Sequence, residues 1–269
     1  MVKPLMKKAL RQGLRKYMAL NHYITEKQKS YEYSKFKPGH VFDVQVDDMS
    51  FKLTFMDYKL GRNIIQRIEG RREPETIAMV KALVRKGSNV LALGCCFGYF
   101  TNIMAQCAGE DGRVVSIEGT PSYYKVLEKN IDLNGLQNVR AYNFFITSKE
   151  SEVYFYPDDT HPYNLIKRLE NQKNIPNENN TTVPAGRLSE FLEHIRFSPD
   201  CIFMDIEGFE VDVFEDFSGG YLQNHRPIIV FEIHNMYYKE KDLSFIKNIL
   251  DSNHYYYRKV AANLVCFPE

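Results

Sequence analysis

The stretch Val90 to Thr101, VLALGCCFGYFT, constrains this chain more than any other. Its apolar run, Val90 to Leu93, is too short and too continuous for an amphipathic helix, and it breaks into a turn bracketed by Gly94 and Gly98. That pattern predicts a buried strand handing over to a helix, with glycines that let the backbone turn sharply and lie close to a ligand. A second apolar run, RVVSIEGTP (Arg113 to Pro121), ends in Glu118, an acid placed to accept both hydroxyl protons of a nucleoside ribose. Gly94 and Gly98 do not make G-x-G-x-x-G, so the dinucleotide fingerprint is absent. A third run, from Cys201, ends in Asp205, Glu207 and Gly208, and a fourth, RPIIVFEIH (Arg226 to His234), ends in Glu232 and His234. Apolar runs that each end in chemically capable side chains predict parallel strands whose carboxyl ends share one crevice.

The rest of the chain fits an α/β alternation. Strands are predicted at 89–94, 113–118, 138–145, 200–206 and 227–233, with Glu152 to Tyr156 extending the pattern. Helices are predicted at 98–108, 121–133, Leu188 to Ile195, Phe209 to Phe217 and Asp242 to Ser252. Such alternation calls for right-handed crossovers and a mostly parallel sheet covered by helices on both faces. Tyr255 to Val260 and Asn263 to Phe267 read as a closing hairpin around Ala261 and Ala262. Residues 157–182 form a polar insertion of the kind used as a lid or substrate loop, with Tyr163, His161 and Lys167 as side chains that can meet a substrate. Ahead of this domain, assigned to 73–269, lies an N-terminal extension, 1–72. It holds a basic amphipathic helix within residues 1–30 and a β-hairpin from Val41 to Asp57, and the helix Glu73 to Arg85 then opens the main domain. The basic helix can pack its apolar stripe on the main domain or rest, through residues 1–20, on an anionic membrane surface. The hairpin can cover the crevice or serve a homo-oligomer contact.

Taken together, VLALGCCFGYFT, VVSIEGTP, LEKNIDLNGLQNV (Leu127 to Val139), MDIEGFE and RPIIVFEIH resemble the FkbM family of S-adenosylmethionine-dependent methyltransferases, over about Glu73 to His234. The most specific pieces are D-x-E-G at Asp205 to Gly208 and the acid-x-His ending at Glu232 to His234. Where the family usually writes D-x-G-A-N-x-G-x-x-T, this chain has Ala92, Cys95 and Cys96 in place of the aspartate, alanine and asparagine, and it has Met204 where a lysine is usual. The resemblance implies a Rossmann-like class I methyltransferase fold with seven strands in the order 3-2-1-4-5-7-6, and S-adenosylmethionine as cofactor. It places the cofactor against Gly94, Cys96, Phe97, Gly98 and Thr101, with Glu118 on the ribose, Asn143 and Phe144 near adenine, and Glu73 or Glu75 as the acid ahead of the glycine motif.

Methyl transfer from a sulfonium is an in-line displacement, so the protein mainly has to hold the acceptor atom close and collinear. A hydroxyl acceptor also needs a base, and His234 is the first choice because its ordinary pKa lies near neutrality. Glu232 is expected to orient it, Asp205 to act beside it, and Glu207 and Tyr163 to meet the substrate. Two carboxylates, Asp205 and Glu207, are too few to specify a metal site, and no metal is expected. The activity implied is O-methylation of a small metabolite, sugar or lipid-linked glycan. The alternatives are a catalytically silent methyltransferase-like binding protein, which the departures at Ala92, Cys96 and Met204 favour, and an RNA methyltransferase.

Composition enters as an exclusion. With 35 basic against 34 acidic residues, the chain is not built to coat nucleic acid. It carries no apolar run of membrane-spanning length and no signal-peptide pattern, and its five cysteines include no C-x-x-C, so a reduced cytoplasmic protein, peripheral at most to a membrane, is expected.

Overall fold

The computed structural model describes residues 23–25, 27–29, 31–33, 35–37, 39–55, 62–148, 151–155, 181–234 and 243–269. The chain packs as two units, Met1–Arg72 and Glu73–Glu269. The basic segment 1–20, the core of the polar insertion and its Tyr163 lie outside the described residues.

In the first unit, β1 (Val41–Val46) and β2 (Met49–Thr54) pair antiparallel around Asp47 and Asp48. Alternation does what a half-buried hairpin requires: Phe42, Val44 and Val46 on one strand and Met49, Phe51 and Leu53 on the other are all buried. Their cover within this unit is the helix Arg62–Ile68, which packs on β1 and buries Ile64, Ile65 and Ile68. Sequence reading passed over this helix, because seven residues carry too little periodicity to register.

The second unit is built on seven strands: β3 (Asn89–Leu93), β4 (Arg113–Ile117), β5 (Val139–Tyr142), β9 (Cys201–Met204), β10 (Ile228–Glu232), β11 (Tyr255–Val260) and β12 (Asn263–Pro268). They lie in the order β11-β12-β10-β9-β3-β4-β5, which is 3-2-1-4-5-7-6 when only these strands are counted. The pairings β9–β10, β3–β9, β3–β4 and β4–β5 are parallel, and β12 runs antiparallel between β10 and β11. Strands covered on both faces need apolar side chains in succession rather than alternation. Accordingly Val90, Leu91, Ala92 and Leu93 of β3 and Cys201, Ile202, Phe203 and Met204 of β9 are all buried. On one face Leu91, Ile117, Ile202 and Phe231 meet Leu188, Leu192, Phe214, Phe217, Ile246 and Leu250 from the helices Leu188–His194, Glu210–Phe217 and Leu243–Ser252. Helices Tyr99–Ala108 and Pro121–Leu133 pack on β3, β4 and β5. Met204, at the position where the family usually has lysine, is part of this apolar core.

One expectation is corrected here. Glu152 to Tyr156 does not extend the main sheet. β6 (Phe145–Ile146), β7 (Ser151–Phe155) and β8 (Thr181–Gly186) form a separate three-stranded sheet in the order β6-β8-β7, with its own small core of Val153, Phe155, Val183 and Ala185. The segment expected as one strand from 138 to 145 therefore ends at Tyr142, and the chain changes sheets across Asn143 and Phe144. β8 was hidden by Pro184 and Gly186, residues that ordinarily argue against a strand interior. No helix among the described residues is long and apolar enough to cross a membrane.

Candidate active site

The carboxyl ends of β3, β4, β9 and β10 are neighbours in the sheet, so the loops that follow them open into one crevice. After β3 the chain turns through Gly94 (φ 77°), Cys96 (φ 50°) and Gly98 (φ 84°), all left-handed. The two glycines answer first to packing. A Cβ on Gly94 would fall 1.9 Å from the Asp205 carbonyl oxygen, and one on Gly98 would fall 2.8 Å from Leu127 Cδ1. The turn's amides are also spent within the protein. Gly94 and Cys95 donate to Ile117 O at 3.0 and 3.4 Å, and Gly98 donates to Cys95 O at 2.8 Å. Cys96 N–H donates to Glu118 Oε2 at 2.7 Å. The Cys95 thiol donates to Ala92 O at 3.1 Å, and burial pushes it up to about 12, so it is no nucleophile at neutral pH.

Glu118, at the end of β4, is only 5% exposed. Its two oxygens accept from Cys96 N–H and from Thr120 N–H, the latter at 2.8 Å, which ties the two strand-to-helix turns together. Burial raises its carboxyl pKa, opposed by those two backbone donors. Asn143 donates its amide to Glu118 O and Gly119 O at 2.7 and 3.0 Å and so fixes the loop after β4. The Phe144 ring stacks on Phe191 with centroids 4.5 Å apart. Three expected cofactor contacts are revised by the structure. The Thr101 hydroxyl is buried behind the turn, 3.0 Å from Ser116 Oγ. The Phe97 side chain is buried against Tyr123, and its carbonyl accepts from Asn130, so only its backbone remains for a ligand. Glu75 is exposed, whereas Glu73, left-handed at φ 50°, is the acid whose charge reaches Asp205.

Across the crevice, Asp205 N–H continues the β3–β9 ladder to Leu93 O at 3.0 Å. The chain then bends through left-handed Glu207 (φ 55°) and Gly208 (φ 105°) into the helix Glu210–Phe217. His234, two residues beyond β10, comes back onto this bend. Its Nδ1 lies 2.9 Å from Oε1 of Glu210, a carboxylate that is 0% exposed and also accepts from Ile206 N–H at 3.2 Å. Its Nε2 faces Asp205 Oδ1 at 3.4 Å and Glu207 Oε2 at 3.7 Å. Asp205 and Glu207 keep 48% and 35% of their side chains open, while His234 keeps 10%.

Two expectations about this cluster change. Among the described contacts, the residue on Nδ1 of His234 is Glu210, and the charge of Glu232 acts on Asp205. Glu210 was passed over because an acid in the first turn of a helix is already explained by the helix dipole. The second change concerns the base. Burial by itself would lower the His234 pKa, but the hydrogen bond to Glu210 and the charges of Glu210, Asp205 and Glu207 outweigh it and hold the ring at about 9. That direction favours the protonated ring over the free base. Asp205 moves toward neutrality instead, to about 7, because of the protein packed around it and the charge of Glu232, with Glu207 and Glu73 adding to it and His234 opposing.

A seven-stranded sheet with its penultimate-to-edge strand reversed, and a crevice at the ends of its central strands, defines the class I methyltransferase architecture. Within that class the sequence model of the FkbM methyltransferase domain matches residues 89–258, and the chain belongs to the FkbM methyltransferase family. Among curated proteins it is similar to protein-L-isoaspartate O-methyltransferase 1 of Archaeoglobus fulgidus, 29% identical over 114 residues that cover 42% of this chain and 50% of that one. It is also similar to the 23S rRNA (uracil(1939)-C(5))-methyltransferase RlmD of Acinetobacter baylyi, 38% identical over 64 residues, 24% of this chain and 14% of that protein. The chain thus spans half or less of the length of these relatives. Among solved structures it resembles a methyltransferase FkbM from Methylobacillus flagellatus, with a TM-score of 0.48 and 15% identity, over 76% of this chain and 53% of that one.

Proposed function

We propose that this protein is an S-adenosylmethionine-dependent O-methyltransferase acting on a hydroxyl of a small metabolite, sugar or lipid-linked glycan. The observation that carries the reading is the contact between Gly94 and the Asp205 carbonyl, so close that a single added carbon would fall 1.9 Å from that oxygen. The glycine turn and the Asp205–Glu207–His234 cluster are therefore two walls of one crevice, the arrangement a group transfer needs. Family membership supports the reaction class, and the isoaspartate O-methyltransferase relative supports oxygen as the acceptor atom.

The residues present fit the cofactor at Glu118. A carboxylate has about four acceptor sites; the amides of Cys96 and Thr120 and the Thr120 hydroxyl occupy three, which leaves capacity for one ribose hydroxyl. Asn143 and Phe144, at the neighbouring strand end, are set to border the base. Ala92 removes one charge-assisted contact of the usual family pattern, about 1.5–3 kcal/mol, which weakens binding without abolishing it. When bound, S-adenosylmethionine supplies a methyl group on a sulfonium, and in-line displacement leaves the broken bond's electron pair on sulfur. Asp205, the most open carboxylate of the cluster, accepts the proton of the acceptor hydroxyl. His234, held by Glu210, keeps its second nitrogen toward Asp205 and offsets the clustered negative charge. Glu207 borders the acceptor.

The test is calorimetric titration with S-adenosylhomocysteine, followed by methyl transfer to a panel of hydroxylated acceptors. Micromolar binding that Glu118→Ala weakens, together with transfer that falls about 100-fold or more in Asp205→Asn, is expected. A folded protein that binds neither S-adenosylmethionine nor S-adenosylhomocysteine would leave the silent binding protein as the better reading.

A further inference from the structure

We propose that Asp205, Glu207 and His234 form a binding site for one divalent first-row cation of the manganese or zinc type. Their ligand atoms all lie within 4.8 Å of one another. Two carboxylates gave no metal site on paper; the fold adds an imidazole nitrogen from a strand end on the other side of β9, and three donors then converge.

Three observations carry this beyond a collection of acids. The first is spacing. Nε2 stands 3.4 Å from Asp205 Oδ1 and 3.7 Å from Glu207 Oε2. Hydrogen bonds of this kind close to roughly 2.7–3.2 Å, whereas donors about 2.1 Å from a shared ion stand roughly 3–3.5 Å apart along the edges of its coordination shell. The Asp205 spacing falls in that window and the Glu207 spacing just beyond it, so a small inward movement of Glu207 would seat an ion between the donors.

The second observation lies outside the cluster. Glu210, wholly buried, holds Nδ1 at 2.9 Å and is itself held by Ile206 N–H. A histidine that ligates a metal through one nitrogen almost always gives the other to such a partner, which fixes the ring and raises its basicity. Here the fixed ring aims its remaining nitrogen between the two open carboxylates. The third is charge: Asp205, Glu207 and Glu210 surround one imidazole, with Glu232 and Glu73 near enough to act on Asp205, so even a protonated ring leaves the group negative. A dication balances what a proton does not.

The donor set narrows the ion. One imidazole nitrogen with two carboxylate oxygens and no thiolate suits manganese, iron or zinc better than the all-oxygen shells of magnesium or calcium. Three protein ligands leave open positions on the crevice side. In that use, which rests on the methyl-transfer reading, the ion would hold an acceptor oxygen beside Asp205 and lower the cost of removing its proton. Binding of the ion itself does not depend on that reading.

The experiment is titration of the metal-free full chain with Mn²⁺, followed by loss of the free-ion electron paramagnetic resonance signal, with circular dichroism melts to show that each variant is folded. One Mn²⁺ per chain with micromolar affinity is expected, displaced by Zn²⁺, lost in Asp205→Asn and His234→Ala, and about tenfold weaker in Glu210→Gln. Glu207→Gln, at a half-open position, takes the place of His234→Ala if that variant does not fold. Binding only at millimolar concentration, or several ions per chain that none of the substitutions reduces, would overturn the site. S-adenosylhomocysteine titration with and without chelator runs in parallel. If it binds in both cases while Mn²⁺ does not bind, the cation site is rejected and the methyltransferase reading survives. If Mn²⁺ binds and S-adenosylhomocysteine does not, the cation site is supported and the methyltransferase reading falls.

Discussion

The two walls of the crevice are built on opposite plans. In the glycine turn after β3, the amides of Gly94, Cys95, Cys96 and Gly98 all donate within the protein, and the half-buried Cys95 thiol is bonded. The wall after β9 and β10 leaves charge exposed: Asp205 and Glu207 are open, and among the described residues the His234 imidazole stands 3.4 and 3.7 Å from them. The first wall spends most of its polar groups on its own chain, while the second presents its carboxylates to the crevice. Shape is thus fixed on one side and chemical demand is concentrated on the other.

The largest effect should come from the buried foundation of the second wall. Glu210→Ala removes one partner of a buried charged pair and should cost about 3–5 kcal/mol in denaturant unfolding. A loss below 1 kcal/mol would mean that Glu210 does not hold the ring. Glu210→Gln keeps the shape and removes the charge. In metal-free protein the His234 ring should then titrate clearly below its present value of about 9, read from its Cε1 proton by NMR. Because that value lies above the ordinary 6.5, His234 contributes stability that is complete below 6.5 and is lost as pH rises toward about 9. In Glu210→Gln the loss should begin at lower pH, with Asp205 and Glu207 still facing the ring.

Next comes the first wall. Gly94→Ala must adopt a left-handed backbone and displace the Asp205 carbonyl, at about 3 kcal/mol in total. If cofactor affinity fell with stability untouched, the glycine would serve the ligand rather than the fold. Thr101→Val sharpens the same contrast at smaller scale. It leaves Ser116 Oγ without this partner and should cost about 1–2 kcal/mol, with S-adenosylhomocysteine affinity unchanged. The smallest effect lies in the first unit, where Glu69 pairs with Lys29 at 2.6 Å and with Arg71. Burial would raise this carboxyl, but the hydrogen bonds to Lys29 and Arg71 hold it below its ordinary value. Glu69→Gln should cost under about 1 kcal/mol at pH 7, and the difference from wild type should vanish as pH falls through that lowered pKa.

The contrast also marks what was legible beforehand. Val90 to Leu93 and Cys201 to Met204 announced themselves because strands covered on both faces must be apolar throughout, and the polar residues that end them had nowhere to go but the crevice. Asp205, Glu207 and His234 were therefore found. Glu210 was not, because its role depends on a partner 24 residues away that only strand order brings back to it. The direction of the His234 shift was equally hidden, since it is set by Asp205, Glu207 and Glu210, a cluster at least 24 residues from the ring in the chain. The small sheet escaped because its middle strand contains Pro184, whose missing N–H is tolerable in so short a ladder.

The reversed strand β12 carries a consequence for how the molecule assembles. β11 and β12 are joined by two residues and pair along their full length, so they form a local hairpin that can close in microseconds without help from the rest of the chain. β12 then reaches β10 by docking of a preformed piece, while β3, β4 and β9 must each be joined through long crossovers. Glu232 pairs with Asn263, the first residue of β12, and Ile233 N–H donates to Ala262 O at 3.1 Å. The segment that presents His234 is thus seated directly on that hairpin, so a substitution that loosens β12 should also disturb the reactive wall of the crevice.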